Sequence, residues 1–170
     1  MIFLTAGFSL RQRNFKYRLI HFFSSIYFIT LIGLVFFPIM IPENWPHNLS
    51  RDVIKETLRQ VNLIPLRNTG IFDSAPLSAK GIHDLIVNLL MTIPIGLTIP
   101  YLFSMRTGPV FLLAAATGLI FEGIELLVKL MTGMYYHMVD INDVIMNTLG
   151  VLSGYVVYRA LTWFFRKSGI

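Results

Sequence analysis

Four long apolar stretches limit what this chain of 170 residues can fold into. They run over about residues 19–41, 82–103, 109–131 and 144–165, each 22 or 23 residues long. A helix rising ~1.5 Å per residue needs about 20 residues to cross a hydrocarbon layer ~30 Å thick. Each stretch is long enough to span with some tilt. The other spanning solution is a closed β-barrel, which needs strict alternation of apolar and polar residues. Runs such as IGLVFF and VFLLAAATGLI do not alternate. The expected fold class is therefore an all-α membrane protein with four transmembrane helices, forming a single domain over residues 1–170.

Composition supports the same class. Only 14% of residues are charged, against roughly a quarter in a soluble domain. The aromatic and branched residues in which the chain is rich are those that disordered segments lack. With no cysteine, disulfide scaffolds and thiol chemistry are excluded. The net charge of +5 on so apolar a chain points to an anionic membrane rather than to nucleic acid. Arg11, Arg13, Lys16 and Arg18 ahead of the first stretch resemble the basic head of a signal peptide. That stretch is too long for such a peptide and no small-residue cleavage site follows it, so it is expected to stay as an anchor helix.

Basic residues set the expected orientation. Residues 1–18, Arg106, Arg166 and Lys167 would lie on one side, seven cations with no acid. The segment 42–81 would lie on the other, with five basic and four acidic residues. The positive-inside rule then places both termini in the cytoplasm. Within 42–81, Ser50 is a candidate N-cap with Asp52 in the first turn. Val53, Ile54, Leu58 and Val61 recur at helical spacing among Arg51, Lys55, Glu56 and Arg59. This predicts an amphipathic helix on the outer membrane surface, broken at Pro65.

Polar residues inside the spans form stripes. Asp84, Asn88 and Thr92 share one face of the second span. Gly118, Glu122, Glu125 and Lys129 share a face of the third, and Asp140, Asp143, Asn147, Gly150 and Gly154 a face of the fourth. An acid near a helix centre costs roughly 2.5–3.5 kcal/mol on insertion scales. All three stripes fall at the outer level, which predicts one acidic cavity opening outward. Bland roles compete: Asp140 as N-cap, Asp143 on the helix dipole, Glu125 and Lys129 as an i, i+4 ion pair, the glycines as packing surfaces. Glu122 lacks a basic residue one turn away on either side. Arg67 and His83 are candidate anion contacts, with Lys80 and His137 placed similarly. No nucleophile elbow, P-loop or HExxH motif occurs, the acid spacing follows no metal-ligand rule, and no cofactor is assigned.

These residues also carry a family resemblance. Asn62-Leu-Ile-Pro65-Leu-Arg67 is similar to the Asn-Leu-x-Pro-Phe element ahead of the second helix in VanZ-like membrane proteins. Asn88-x5-Pro94-x-Gly96 resembles that family's second-helix signature. Phe121-Glu122-x-x-Glu125, followed by Asp140-x-x-Asp143-Val-x-x-Asn147-Thr148-x-Gly150 and Gly154, resembles its most specific part. The likeness spans about residues 61–155. This chain departs from it at Glu125, where members often carry Gln, and at Gly150-Val151, where they have a glycine pair. The family is named for a protein giving low-level resistance to teicoplanin, a glycopeptide antibiotic that targets cell-wall precursors. The resemblance implies a bacterial plasma-membrane protein acting near the outer leaflet, and supplies no reaction.

Three functions fit. The leading expectation is a non-catalytic cell-envelope protein whose partners, besides the lipid bilayer, are an envelope ligand or the antibiotic. A rival is a small membrane enzyme acting on a lipid-linked envelope precursor, with Glu122 and Asp143 as acid, base or metal ligand. The third is an ion-coupled carrier. The orientation is directly testable, since the chain has no cysteine of its own. Of single cysteines introduced at Ser9, Asn48 and Ser168, only that at Asn48 is expected to react with an impermeant thiol reagent in intact cells. Labelling at Ser9 would refute the assignment.

Overall fold

The structure, a computed structural model, describes residues 15–36, 39, 43, 45, 50–67, 78–133 and 139–168. Among these residues there are five helices and no strand. The helices are α1 Phe15–Phe36, α2 Arg51–Arg59, α3 Ala79–Phe103, α4 Thr107–Thr132 and α5 Ile141–Lys167. Four of them contain segments long and apolar enough to cross a membrane. The basic head at Arg11 and Arg13, His137, and the last turn expected for the first span lie outside the described residues, except Ile39.

The chain divides into two units, residues 1–37 and 38–170. In the first, α1 turns Phe22, Phe23, Ile29 and Leu34 outward. Within it, Ser25 donates to the carbonyl of His21 at 2.9 Å. A hydroxyl bonded back to its own helix needs no outside partner in an apolar setting.

In the second unit, local capping fixes where helices begin. Ser50 accepts from the Val53 N–H, as expected for α2. Ser78 accepts from Gly81 N–H, so α3 starts three residues ahead of its apolar run. Asp140 caps α5. α4 ends where Gly133 takes a left-handed φ of 67° and returns its N–H to Lys129, the usual glycine stop. The Trp45 indole N–H reaches the Met131 carbonyl at 2.7 Å, satisfying an acceptor that the end of α4 leaves open.

α2 differs from expectation in where it ends. It stops at Arg59, before Pro65, because the next residues leave the helix to pair elsewhere. Asn62 forms a parallel bridge with Asp140, donating its N–H to Val139 O and accepting from Ile141 N–H, both at 2.9 Å. Within α2, Thr57 is buried and Ile54 and Leu58 are 39% and 51% exposed.

α5 packs on both α3 and α4, whereas α3 and α4 touch each other little. α3 and α5 run parallel. Asn88 meets Asp143, Thr92 meets Asn147, and Gly96 meets Val151, a constant offset of 55 residues. α4 runs antiparallel to α5. Glu122 meets Asp140, Gly118 meets Val144, Ala114 meets Thr148, and Thr107 meets Tyr155. Each step along α5 is matched by an equal step back along α4.

Glycine makes these contacts possible. A Cβ at Gly96 would collide with the Val151 carbonyl, at Gly150 with that of Leu89, and at Gly154 with that of Ile93. Backbones this close gain dispersion and polar contacts where lipid provides no hydrophobic drive. Gly154→Val is therefore expected to cost more than the about 1–3 kcal/mol of ordinary overpacking, because whole helices must part. Gly123, with nothing within 4 Å, should accept Ala. Thermal unfolding of the two variants in detergent checks the contrast.

Candidate functional site

The polar residues gather around Asp140. Its side chain accepts from Asn142 N–H at 2.8 Å and from Asn62 Nδ2 at 2.9 Å. Its own N–H donates to Glu122 Oε2 at 3.1 Å. Asn62 Oδ1 accepts from Ile64 N–H at 3.1 Å. Asn142, only 3% exposed, accepts from Leu66 N–H and donates to the Arg67 carbonyl at 3.4 Å. The segment 62–67 is thereby stitched to the first turn of α5 through both backbone and side chains. Leu66 has a φ of 61°, a left-handed conformation that a branched residue adopts only when its surroundings impose it.

A second pair lies where α3 faces α5. Asn88 Nδ2 donates to Asp143 Oδ1 at 2.6 Å. One turn deeper, Thr92 Oγ1 donates to the Asn147 carbonyl at 3.0 Å. Asn147 is 1% exposed, and its Oδ1 meets no hydrogen-bond donor among the described residues.

Glu122 is 7% exposed and lies about 22 Å along α4 from Thr107 at the α-helical rise. The backbone N–H that it accepts belongs to the start of α5. Glu122, Asp140 and Asp143 thus all sit at one helix N-terminus, where the dipole favours negative charge. Glu125 pairs with Lys129 at 3.7 Å, as their spacing predicts.

The sequence-derived set is only partly brought together. Glu122 and Asp140 are joined where α4 faces α5, and Asn88 and Asp143 where α3 does, with Asn147 one turn below Asp143. His83 and Asp84 are exposed and contact each other at 3.3 Å. Arg67 joins the network through its carbonyl, and its side chain is exposed. Among the described residues no group of three or more His, Asp or Glu is placed to hold a metal ion. Two network members were missed by sequence reasoning. Asn62 heads the Asn-Leu-Ile-Pro segment, and Asn142 stands two residues after the α5 cap; a buried amide has no periodic signature.

The three polar pieces that resemble VanZ-like proteins are therefore one connected arrangement, and the comparison with family models agrees: residues 23–165 match the VanZ/LLP1 family. The chain belongs to this family. Comparison with curated proteins and with solved structures gives no match. The region matched to the VanZ/LLP1 family contains α2 to α4, nearly all of α5 and every residue of the Asp140 network. This VanZ/LLP1 protein is a membrane protein with four candidate spans.

Removing the Asn142 amide should release residues 62–67. Asn142→Ala removes the side chain that accepts from the Leu66 N–H and donates to the Arg67 carbonyl, a loss of about 0.5–1.5 kcal/mol for each hydrogen bond. Limited trypsin digestion is expected to cut after Arg67 faster in this variant, while Gln60→Ala, at an exposed position, behaves as wild type.

Proposed function

We infer that this VanZ/LLP1 protein is a non-catalytic cell-envelope protein of a bacterial plasma membrane. The observation that carries this reading is the occupation of its intramembrane acids. Glu122 accepts a backbone N–H, Asp140 caps a helix and holds Asn62, and Asp143 holds Asn88. Carboxyls committed in this way build a fixed polar end rather than a reactive pair. Both termini are assigned to the cytoplasm, so that the Asp140 end and α2 face outward. There the protein would bind an envelope ligand or a glycopeptide such as teicoplanin. The candidate site comprises Asp84, Asn88, Glu122, Glu125, Asp140, Asp143 and Asn147, with Arg67 and His83 as anion contacts at its rim. The family match crosses from residues 1–37 into residues 38–170, which supports reading the chain as one domain.

A second reading, an ion-coupled carrier, draws on Asn147. Its buried Oδ1 is an open acceptor one turn from Asp143, and intramembrane polar groups often mark ion paths.

The test is teicoplanin tolerance in cells lacking the chromosomal copy, complemented by variants at matched membrane abundance. Glu122→Gln is expected to abolish the tolerance conferred by wild type, Asp143→Asn to reduce it in part, and Lys129→Gln to change it little. Wild-type tolerance from Glu122→Gln at equal abundance would show that no essential charged role resides there. A Glu122→Gln variant that cannot be brought to wild-type abundance would assign Glu122 to holding the helices together. Tolerance unchanged by deletion of the protein itself would remove the glycopeptide reading.

A further inference from the structure

The end of the helices opposite Asp140 carries cations alone. Residues 85–121 and 144–170 contain Arg106, Arg159, Arg166 and Lys167 and no Asp or Glu. At this end a hydrogen-bonded seam joins α4 to α5. Thr107, the first residue of α4, shares a 2.9 Å hydrogen bond with the hydroxyl of Tyr155, which is buried. Arg159, one turn further along α5, donates from Nη1 to the same hydroxyl at 3.3 Å. Its Cζ lies 6.0 Å from the centroid of the Tyr155 ring. These contacts hold the guanidinium beside the seam while using one of its five donors. Its side chain is exposed, as is that of Arg106, which immediately precedes Thr107.

The surroundings of the seam are apolar. Phe111 and Leu112, one turn inward on α4, and Val156 on α5 are exposed. Tyr101 and Trp163 are exposed at the same end, as aromatic residues are where a span meets the headgroup layer. A phosphate-bearing ligand with long acyl chains matches both halves of this surface. Arginine forks fit phosphate oxygens, and the apolar shoulders fit acyl chains. A free anion would meet only the first half.

We propose that the α4–α5 seam at Arg106 and Arg159 binds the phosphodiester headgroup of an anionic phospholipid, whose acyl chains lie along Phe111, Leu112 and Val156. The headgroup supplies the negative charge that this end of the protein lacks. Tyr155 is a positioning residue, which orients Arg159 and ties it to α4. The site does not depend on which membrane face this end occupies, nor on the function proposed above.

Native mass spectrometry of the purified full chain tests the site. Phosphatidylglycerol and phosphatidylcholine of matched acyl chains are added in detergent, with inorganic phosphate as a competitor. The wild type should retain phosphatidylglycerol in preference to phosphatidylcholine, and phosphate should not displace it. Arg159→Gln and Arg106→Gln should each lower phosphatidylglycerol retention about fivefold, the weight of one arginine at a charged membrane surface. The double variant Arg166→Gln, Lys167→Gln should lower it less than either. Equal retention of the two lipids, or full retention in both single-arginine variants, overturns the proposal. Displacement by inorganic phosphate overturns the lipid as the ligand. Monodisperse elution and helical circular dichroism establish that each variant is folded. If Arg159→Gln aggregates, Arg106→Gln in the exposed turn decides the question by itself.

Discussion

Backbone contact between α3 and α5, permitted by Gly96, Gly150 and Gly154, governs the placement of the polar residues in this protein. Hydrocarbon offers apolar helices no reason to prefer one another over lipid, so their association rests on close packing and on polar contacts. Glycine supplies the first by letting carbonyl groups of one helix rest on the backbone of the next. Once that contact fixes the offset of 55 residues, the second follows. Asn88 falls on Asp143, and Thr92 on the carbonyl of Asn147. Gly118 performs the same service for α4, and Thr148 then reaches the Ala114 carbonyl at 3.3 Å.

This arrangement accounts for acids that would otherwise be expensive. A lone carboxylate at a helix centre costs roughly 2.5–3.5 kcal/mol to insert. Glu122, Asp140 and Asp143 offset that cost together at the start of α5, where N–H groups and the helix dipole receive negative charge. The far end of α5 shows the complement. Arg166 and Lys167 occupy its last turn, and Lys167 Nζ lies 5.2 Å from the Trp163 ring centroid. The charge distribution along this helix follows its dipole from one end to the other.

Much of this was legible in the sequence because it depends on local rules. The apolar lengths gave the four candidate spans. Ser50 and Asp140 were readable as caps, and Glu125 with Lys129 as a pair one turn apart. Other features needed a partner from far along the chain. The end of α2 at Arg59 follows from the bridge between Asn62 and Asp140, 78 residues apart. The spacing of Val61 continued a helical pattern that this bridge interrupts. Glu122 looked unpartnered because only side chains on its own helix were in view, whereas its donor is the backbone N–H of Asp140, the cap of α5.

The sequence by itself determined the class of environment, the number of candidate spans, the caps and the faces on which polar residues lie. Helical periodicity suffices for that, since it relates each residue to its neighbours three and four positions away. Tertiary structure alone decided which faces meet and in what register. That choice was made where one helix backbone rests on another, at Gly96, Gly118, Gly150 and Gly154, and no periodic pattern within a single segment records the offset between two.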